Sequence, residues 1–460
     1  MTMFRRGTKK IHFVGIGGAG ISGMARILLQ LGYSISGSDV AESEQTRKLA
    51  GEGVRIYAGH SEENIEGVDL VVFSSAISPQ NPELRFARKK SIPCITRSQA
   101  LSSMMQQKTG IAVAGTHGKT TTTAIISLIL KEAGLQPTVL VGGEVDAVWG
   151  NACAGKGNYF VAEADESDGT FLELSPELAV VTNIEDDHLD YYGDFESLLG
   201  AFAAFSDAVF SRNGTVFFSD HPNNVKLLKA GKWKKAVTYG VGESCTVRGE
   251  DVVTEFAKSK FSVFYKTKRL GRIELNLPGT YNIYNALAAC SIAITADVKF
   301  EVMKDVLSGF RGTERRFQIR GEEGGVLVIE DYAHHPTEIE FVLDACKKSG
   351  RRVVAIFQPH RYSRTLELAE NFGKAFGNAD ELIVTDIYPA GEIPAENISS
   401  QIIVDQVKKR GNIPVHYIPD MQDVIAAMAG IVKNRDLVVI LGAGDINKLV
   451  QPVLDSLTSL

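Results

Sequence analysis

Cysteine is scarce in this chain, and what there is lies apart. Cys94, Cys153, Cys245, Cys290 and Cys346 are odd in number and never form a Cys-x-x-Cys pair. That excludes a disulfide framework and a Cys/His zinc site, and it fits reduced, packed thiols in a cytosolic protein. No apolar run reaches the roughly 18 residues that a membrane helix needs. Positive charge is not in excess: the formal net charge is -6, which argues against broad binding to nucleic acid or to an anionic membrane. The start, Met1 to Lys10, is basic and precedes an apolar stretch, as a secretory leader would. His12 and the glycines at 15, 17, 18, 20 and 23 break that stretch up, so a leader is not expected. There is no low-complexity linker and no repeat with a period of roughly 20–50 residues. What remains is an ordinary globular composition, 44% hydrophobic and 23% charged. A length of 460 residues suggests roughly two to four domains.

Strand and helix patterns alternate in three blocks, which predicts an α/β protein with parallel sheets. In the first, Ile11–Val14 reads as a strand, followed by a Gly-rich turn and a helix to Leu31. Tyr33–Ser38 and Val68–Ser74 read as further strands. The second block opens with the apolar run before Gly115 and continues with strands at Tyr159–Ala162 and Leu178–Thr182. Lys258–Leu277 reads as antiparallel hairpins turning at Lys268–Gly271, and a helix is expected over Tyr284–Ala296. The third block has strand candidates at Val326–Ile329, Val353–Phe357, Glu381–Thr385 and Leu437–Leu441, a doubly wound pattern. The expected domains are 1–107, 108–311 and 312–460.

Two glycine-rich turns carry the chemistry. Ile111-Ala-Val-Ala-Gly115-Thr116-His117-Gly118-Lys119-Thr120-Thr121 runs from a β-prone segment into a helix-prone one. That arrangement aims backbone N–H groups and a helix N-terminus at one point, where polyphosphate binds. Lys119 would reach the β/γ-phosphates of ATP and Thr120 would ligate Mg²⁺. The spacing is Gly-x-x-Gly-Lys-Thr; the commoner GxxxxGK[ST] loop would need glycine where Val113 stands. The other turn, Gly15-x-Gly17-Gly18-Ala19-Gly20, follows a strand and opens a helix, with Asp39 about 20 residues on. It matches the dinucleotide fingerprint, in which Asp39 accepts a ribose hydroxyl. Physically it states only a close backbone approach to a diphosphate, which a UDP-sugar satisfies as well as NAD. A simple dehydrogenase has no use for the Gly-Lys-Thr loop. The pair of sites therefore suggests ATP spent on a substrate that itself carries a diphosphate.

Acidic runs follow the next two strands: Glu163-Ala-Asp165-Glu166-Ser-Asp168 and Glu185-Asp186-Asp187-His188-Leu-Asp190. Ligands gather at the carboxyl ends of parallel strands, so Glu163 and His188 are expected beside Thr120 at a metal. Hard oxygen donors suit Mg²⁺, and one imidazole is compatible with Mg²⁺ or Mn²⁺. For Asp168, Glu185 and Asp186 a solvated acidic loop is the plainer reading.

Taken together and in order, these segments resemble the Mur ligase family, the ATP-dependent enzymes that build the peptide stem of peptidoglycan. The resemblance spans the whole chain. It adds Ser36-Gly-Ser-Asp39, Ser74-Ser-Ala-Ile77, Tyr281-Asn-Ile-Tyr-Asn-Ala286, Arg315-Arg-Phe317, Asp331-Tyr-Ala-His-His-Pro336 and Pro359-His-Arg-Tyr-Ser-Arg-Thr365. It implies three domains: an N-terminal Rossmann-like domain binding a UDP-sugar, a central P-loop ATPase domain with an added antiparallel section, and a C-terminal Rossmann-like domain binding an amino acid. The family's reaction passes through an acyl phosphate, with water excluded by a closing third domain. Within the family the segments, above all Pro359–Thr365, resemble the alanine-adding branch, whose substrates are UDP-N-acetylmuramate, L-alanine and ATP. No lysine lies between His188 and Lys226. The carbamylated lysine that other branches use as a metal ligand is thus missing, as that branch implies.

The resemblance also distributes roles. Gly15, Gly17, Gly18, Ala19, Gly20, Asp39 and Ser74 fall to the UDP-sugar. Gly115 to Thr121, Asn282, Asn285, Arg315 or Arg316, and Asp331 fall to ATP. Thr120 and Glu163 fall to the Mg²⁺ that bridges the ATP phosphates and His188 to a second ion between the γ-phosphate and the substrate carboxylate, with Lys119, Glu163 and His188 catalytic. Tyr332, His334, His360, Arg361 and Arg364 fall to the amino acid. For Asn285 a helix cap or turn is an alternative. Of His334 and His335 one is functional and one structural, since adjacent helical residues face apart. No nucleic acid or membrane partner is expected, and the assembly is a monomer or weak homodimer in the cytoplasm. The rival readings are the branch that reattaches a recycled tripeptide, an NAD-dependent oxidoreductase, and a nucleotide-driven switch without catalysis.

Overall fold

The structure, a computed structural model, describes residues 7–142, 150–231, 233, 235–394, 397–411 and 413–458, leaving aside the Ala19 side chain. It holds two compact units. One comprises Met1–Glu250, Val263–Gly271 and Tyr284–Val306; the other comprises Asp251–Ser262, Arg272–Ile283 and Leu307–Leu460.

In the first unit, β1 (Lys10–Val14), β2 (Ser34–Asp39), β3 (Arg55–Ala58), β4 (Leu70–Phe73) and β5 (Cys94–Thr96) form a sheet of order β3-β2-β1-β4-β5. Every pairing in it is parallel. The helix Ala19–Gln30 is buried all round from Ile21 to Leu28, as a helix covered on more than one side must be. Each large apolar side chain contributes roughly 1.5–3 kcal/mol when fully buried. The sheet's interior also holds a polar knot. Glu83, with no exposure, accepts from Ser38 Oγ at 2.7 Å, and Asn64 Nδ2 donates to it at 2.7 Å. His60 Nδ1 lies 3.0 Å and His12 Nε2 3.4 Å from its carboxyl oxygens. Burial alone would raise the Glu83 pKa, but the bonds from His12, Ser38 and Asn64 hold it below the ordinary value.

A second sheet in this unit contains β6 (Thr109–Ala114), β7 (Thr138–Leu140), β8 (Ala152–Cys153), β9 (Tyr159–Glu163), β10 (Leu178–Val181), β11 (Thr215–Ser219) and β12 (Val237–Gly240). Their order is β12-β11-β10-β6-β9-β7-β8. Only β7 and β8 run antiparallel among these seven. The strands β13 (Val247–Thr254), β14 (Ser259–Tyr265) and β15 (Lys268–Leu275) follow at the β12 edge. The hairpin expected here exists, but its turn is Lys266-Thr267 and Lys268–Gly271 lies in β15. Lys266 takes a positive φ of 55°, a conformation that its side chain does not advertise. The helix expected from Tyr284 starts five residues earlier, at Gly279, and ends at Thr295.

The second unit contains a sheet of β16 (Gln318–Glu323), β17 (Val326–Asp331), β18 (Val353–Phe357), β19 (Glu381–Val384), β20 (Val415–Tyr417) and β21 (Leu437–Leu441), in the order β16-β17-β21-β18-β19-β20. Only β16 pairs antiparallel. β17, β18 and β21 are buried along their whole length, as central parallel strands between two helical layers must be.

Candidate active site

The site is built at the carboxyl ends of β6, β9 and β10, neighbours at the centre of the second sheet. β6 delivers the turn Gly115–Gly118. Gly115 has φ +126° and a Cβ there would strike Thr182 Oγ1; Gly118 has φ +84° and precedes the helix Lys119–Glu132. Both glycines are required by conformation. The loop from β10 clasps the turn. Thr116 N–H donates to Asn183 O at 2.9 Å and His117 N–H to Asn183 Oδ1 at 2.8 Å. Thr182 Oγ donates to His117 O at 2.7 Å, and Glu185 N–H to Thr116 Oγ1 at 2.9 Å. Thr116, His117 and Thr121 are buried, so the turn is a fixed cradle.

The structure brings the expected groups together here. The Thr120 hydroxyl is hydrogen-bonded to Glu163, whose Oε1 also accepts the Gly142 N–H at 2.7 Å. Burial raises the Glu163 pKa despite these bonds and the Lys119 charge. A half-buried carboxylate beside a hydroxyl is a donor set that fits a hard divalent cation. His188 stands in the left-handed region at φ 58°, opening the short helix Leu189–Tyr192. Its Nε2 lies 3.6 Å from Asp187 Oδ2; against burial, the Lys119 charge, the Ser167 hydrogen bonds and then this imidazole hold the Asp165 pKa below the ordinary value. Asn285 is buried and accepts from Thr122 Oγ at 3.1 Å. It lies inside the helix Gly279–Thr295 and is neither cap nor turn. Asn282 donates to Pro278 O at 2.8 Å.

Two partnerships escape the linear sequence. Lys119 Nζ donates to Gly115 O at 2.7 Å and lies 2.9 and 3.0 Å from the two oxygens of Glu166. The Glu166 side chain is 1% exposed, and burial pushes its pKa up to about 7 against the pull of Lys119. Glu185, expected as a solvated acid, lies between two imidazoles: His117 Nε2 at 3.5 Å and His221 Nε2 at 3.4 Å. The acidic runs point to both places, but nothing in a linear sequence pairs Lys119 with a residue 47 positions on.

The other Gly-rich turn, after β1, is tied to β2. Gly15 and Ile16 N–H groups donate to Ser38 O at 2.9 and 3.1 Å. Gly17 N–H donates to Asp39 Oδ2 at 2.8 Å, and Asp39 Oδ1 accepts Val40 N–H at 2.8 Å. Asp39, expected to accept a ribose hydroxyl, is here the carboxylate that fixes the turn. Gly18 is exposed at the start of the helix Ala19–Gln30. A Cβ on Gly20 would meet Arg97 Nη1 at 2.6 Å. Ser74, at the end of β4, accepts Ala76 N–H at 3.3 Å.

In the second unit the expected residues gather at the carboxyl ends of β17 and β18. Asp331 is buried, holds the N–H groups of Phe317 and Ala333 at 2.6 and 2.7 Å, and burial raises its pKa to about 6. Arg315 donates to Gly442 O at 2.7 Å and Gly444 O at 3.0 Å, and pairs with Glu330 at 2.9 Å. Arg316 lies 3.4 Å from Glu338. Both guanidiniums sit 5.0 Å from the Tyr332 ring centre. Tyr332, His334, His360 and Tyr388 form a chain of rings with centroids 5.4 to 5.7 Å apart. His335 instead caps the helix Pro336–Lys347, its Nδ1 accepting Thr337 N–H at 3.4 Å. Arg361 takes φ 72° at the start of the helix Tyr362–Glu367. Arg364 is buried, its Nη1 3.3 Å from His360 Nδ1.

A Gly-Lys-Thr cradle with a carboxylate and an imidazole at the neighbouring strand ends defines a P-loop nucleotide site in an α/β protein. The chain belongs to the Mur ligase family. It matches the models "Mur ligase family, catalytic domain" over residues 10–109, "Mur ligase middle domain" over 113–293 and "Mur ligase, glutamate ligase domain" over 315–444. A UDP-N-acetylmuramate–L-alanine ligase of Geotalea daltonii is 44% identical over 98% of each chain. The protein of the same name from Geotalea uraniireducens is 45% identical over 98% of each. Among solved structures, the UDP-N-acetylmuramate-alanine ligase of Thermotoga maritima superposes with TM-score 0.80 at 32% identity, covering 98% of this chain and 99% of that one. A murein peptide ligase of Psychrobacter arcticus gives 0.70 at 25% identity, covering 98% and 99%.

Proposed function

We propose that this chain joins L-alanine to the lactyl carboxylate of UDP-N-acetylmuramate at the expense of ATP. The observation that carries the reading is the Gly115–Thr120 cradle with Glu163 bonded to Thr120, in a chain that is 44% identical to an alanine-adding relative along nearly its whole length. Such substrates place the reaction in the cytoplasm, and no described helix is long and apolar enough to cross a membrane.

In this reading the domains divide at 107/108 and 311/312. The turn at Gly15, Gly17, Gly18, Ala19 and Gly20, with Ser74 nearby, receives the diphosphate, and Asp39 holds the turn. The amides of Gly115 to Lys119 and the Lys119 ammonium stabilise the charge that moves as the γ-phosphoryl group passes to the substrate carboxylate. Asn282 and Asn285 serve the nucleotide, Asp331 its ribose, and Arg315 or Arg316 its phosphates. Thr120 and Glu163 would hold Mg²⁺, for which Mn²⁺ is a substitute, and His188 would hold a second ion; bound there, the ions would neutralise charge on the phosphates. The acyl phosphate is attacked by the neutral amine of alanine, and the tetrahedral adduct loses phosphate to leave the amide. Arg361 or Arg364 takes the alanine carboxylate, which a guanidinium holds with two bonds, beside Tyr332, His334 and His360.

The test is phosphate release with ATP, UDP-N-acetylmuramate and L-alanine, each omitted in turn, and with the stem tripeptide replacing alanine. Release that needs all three supports the reading. Release only with tripeptide moves the chain to the peptide-recycling branch, and release without any UDP-sugar refutes both.

A further inference from the structure

The Lys119 ammonium has three hydrogens and four oxygens within reach: Gly115 O at 2.7 Å, Thr116 O at 3.3 Å, and Glu166 Oε1 and Oε2 at 2.9 and 3.0 Å. Its donor capacity is therefore filled by the protein itself. A phosphate that reaches this nitrogen must take the place of one of them. The carbonyls belong to the cradle and are fixed by the β10 loop, so the oxygen most easily replaced is a side chain's. Glu166 is that side chain. It is a single residue on the loop after β9, and among the described residues its carboxyl meets one side-chain donor, Lys119.

The surroundings of Glu166 decide how its carboxyl responds to that exchange. The side chain is 1% exposed. Lys119 is the cation that acts on it, and Asp165 acts with like charge. Around the same ammonium stand Glu163 and Asp165, and His188 acts on Asp165. The Tyr192 hydroxyl donates at 2.6 Å to the main-chain oxygen of Glu166. It anchors the backbone and leaves the carboxyl to Lys119. A carboxylate so buried, with acids on its flank, does not stay charged once its counter-ion turns to another anion.

We propose that Glu166 is a positioning residue for Lys119, and that a nucleotide phosphate on the loop takes the ammonium from it, so that nucleotide binding draws a proton into the protein. The proton comes from solvent and ends on a Glu166 oxygen; no other bond is made or broken. The inference rests on the phosphate-loop reading of Gly115–Thr120. It deepens that reading by giving the loop lysine an internal competitor. The raised pKa of the carboxyl agrees with it: the group is already close to protonation with its partner in place. It also assigns a use to Glu166, an acid of the run after β9 that the metal site leaves over.

The probe is ADP with Mg²⁺, titrated calorimetrically into the full chain at pH 8 in two buffers of different ionisation enthalpy. At that pH the nucleotide phosphates, with pKa about 6, are already deprotonated. The wild type is expected to take up between half a proton and one proton per ADP bound. Glu166→Gln is expected to lose that uptake and to bind ADP several-fold more tightly, because a neutral amide competes less for the ammonium. Equal proton counts in the two proteins overturn the proposal. A purely structural Glu166 would shift the melting temperature and leave the proton count alone. Should Glu166→Gln fail to fold, the wild type decides: its ADP affinity should fall by up to about tenfold per pH unit between pH 7 and 9, and a flat profile overturns the proposal. A wild type that binds no ADP at all refutes the phosphate-loop reading itself, a different failure from binding without a proton.

Discussion

Gly18 and Gly17 are neighbours in one turn, yet the structure separates their effects. Gly18 has φ -67° and ψ 138°, where any residue is comfortable. A Cβ there would meet only Gly15 O, at 3.6 Å, which is ordinary contact. Gly18→Ala should therefore leave the fold nearly unharmed: the smaller entropy of its unfolded chain, about 0.4–1 kcal/mol, is offset by the poorer N-cap that alanine makes for the helix Ala19–Gln30. The added methyl stands in front of the helix Ala19–Gln30, where a diphosphate would lie against the backbone. The KM for UDP-N-acetylmuramate should rise tenfold or more, equivalent to about 1.4 kcal/mol, with the KM for ATP unchanged. At Gly17 a Cβ would come within 2.9 Å of Asp39 Oδ2 and 3.2 Å of Ser43 Oγ. Gly17→Ala must push away the carboxylate that accepts its own N–H, a charge-assisted bond worth about 1.5–3 kcal/mol. It should lose melting temperature and UDP-sugar affinity together. Steady-state kinetics varying each substrate, beside a thermal melt, reads both. If Gly18→Ala leaves the UDP-sugar KM alone, this turn does not hold the diphosphate. If the ATP KM rises instead, the two nucleotide sites are exchanged.

Lys119→Ala should lower phosphate release by about 10²–10³; near-full activity in a folded variant would refute the cradle's role. The same variant strands Glu166, whose folded pKa already exceeds its unfolded one and would rise further. A carboxyl raised on folding binds more protons in the native state, so the variant's stability deficit should be smallest near pH 5 and widen as pH climbs through 7; a pH-independent deficit in melts would show that Glu166 is not the group left behind. Glu163→Gln should raise the Mg²⁺ concentration needed for half-maximal activity, because it removes the charged donor beside Thr120; an unchanged Mg²⁺ dependence places the metal elsewhere. Removing the guanidinium that holds alanine, by Arg361→Ala or Arg364→Ala, should cost roughly 10- to 150-fold in kcat/KM for alanine, about 1.5–3 kcal/mol, while borohydride still traps the acyl phosphate. Lysine should rescue poorly, and loss of trapping in both variants would mean that these arginines serve phosphoryl transfer.

Much of the framework is legible in the sequence because buried parallel strands are short, apolar and bounded by glycine or acid. Val353–Phe357 and Leu437–Leu441 are legible to the residue. That Thr120 and Glu163 meet is legible for the same reason: one opens the helix after β6, the other ends β9, and parallel strands end together. Turn chemistry is harder. Lys266 adopts a positive φ without glycine, so a search for glycine sets the hairpin turn two residues late. His334 and His335 are indistinguishable in sequence, and the cap that His335 places on Thr337 N–H shows only in the structure. Partnerships across long separations, Lys119 with Glu166 and Glu185 with His117 and His221, depend on where loops from different strands meet, which no local pattern encodes.

The Glu83 knot carries a consequence for how this protein can change over time. His12, Ser38 and the neighbours His60 and Asn64 come from three stretches of chain and converge on one carboxylate that water does not reach. Losing the acid alone takes one acceptor from four polar groups at once; losing one donor alone leaves the acid undersupplied. Each single step is costly, whereas replacing the set with well-packed apolar side chains need not be. The five positions should therefore behave as one hereditary unit. Their substitutions would be strongly non-additive, with pairwise interaction energies of about 0.5–3 kcal/mol in double-mutant cycles, and a lineage could leave this arrangement only by crossing several unfit intermediates in succession.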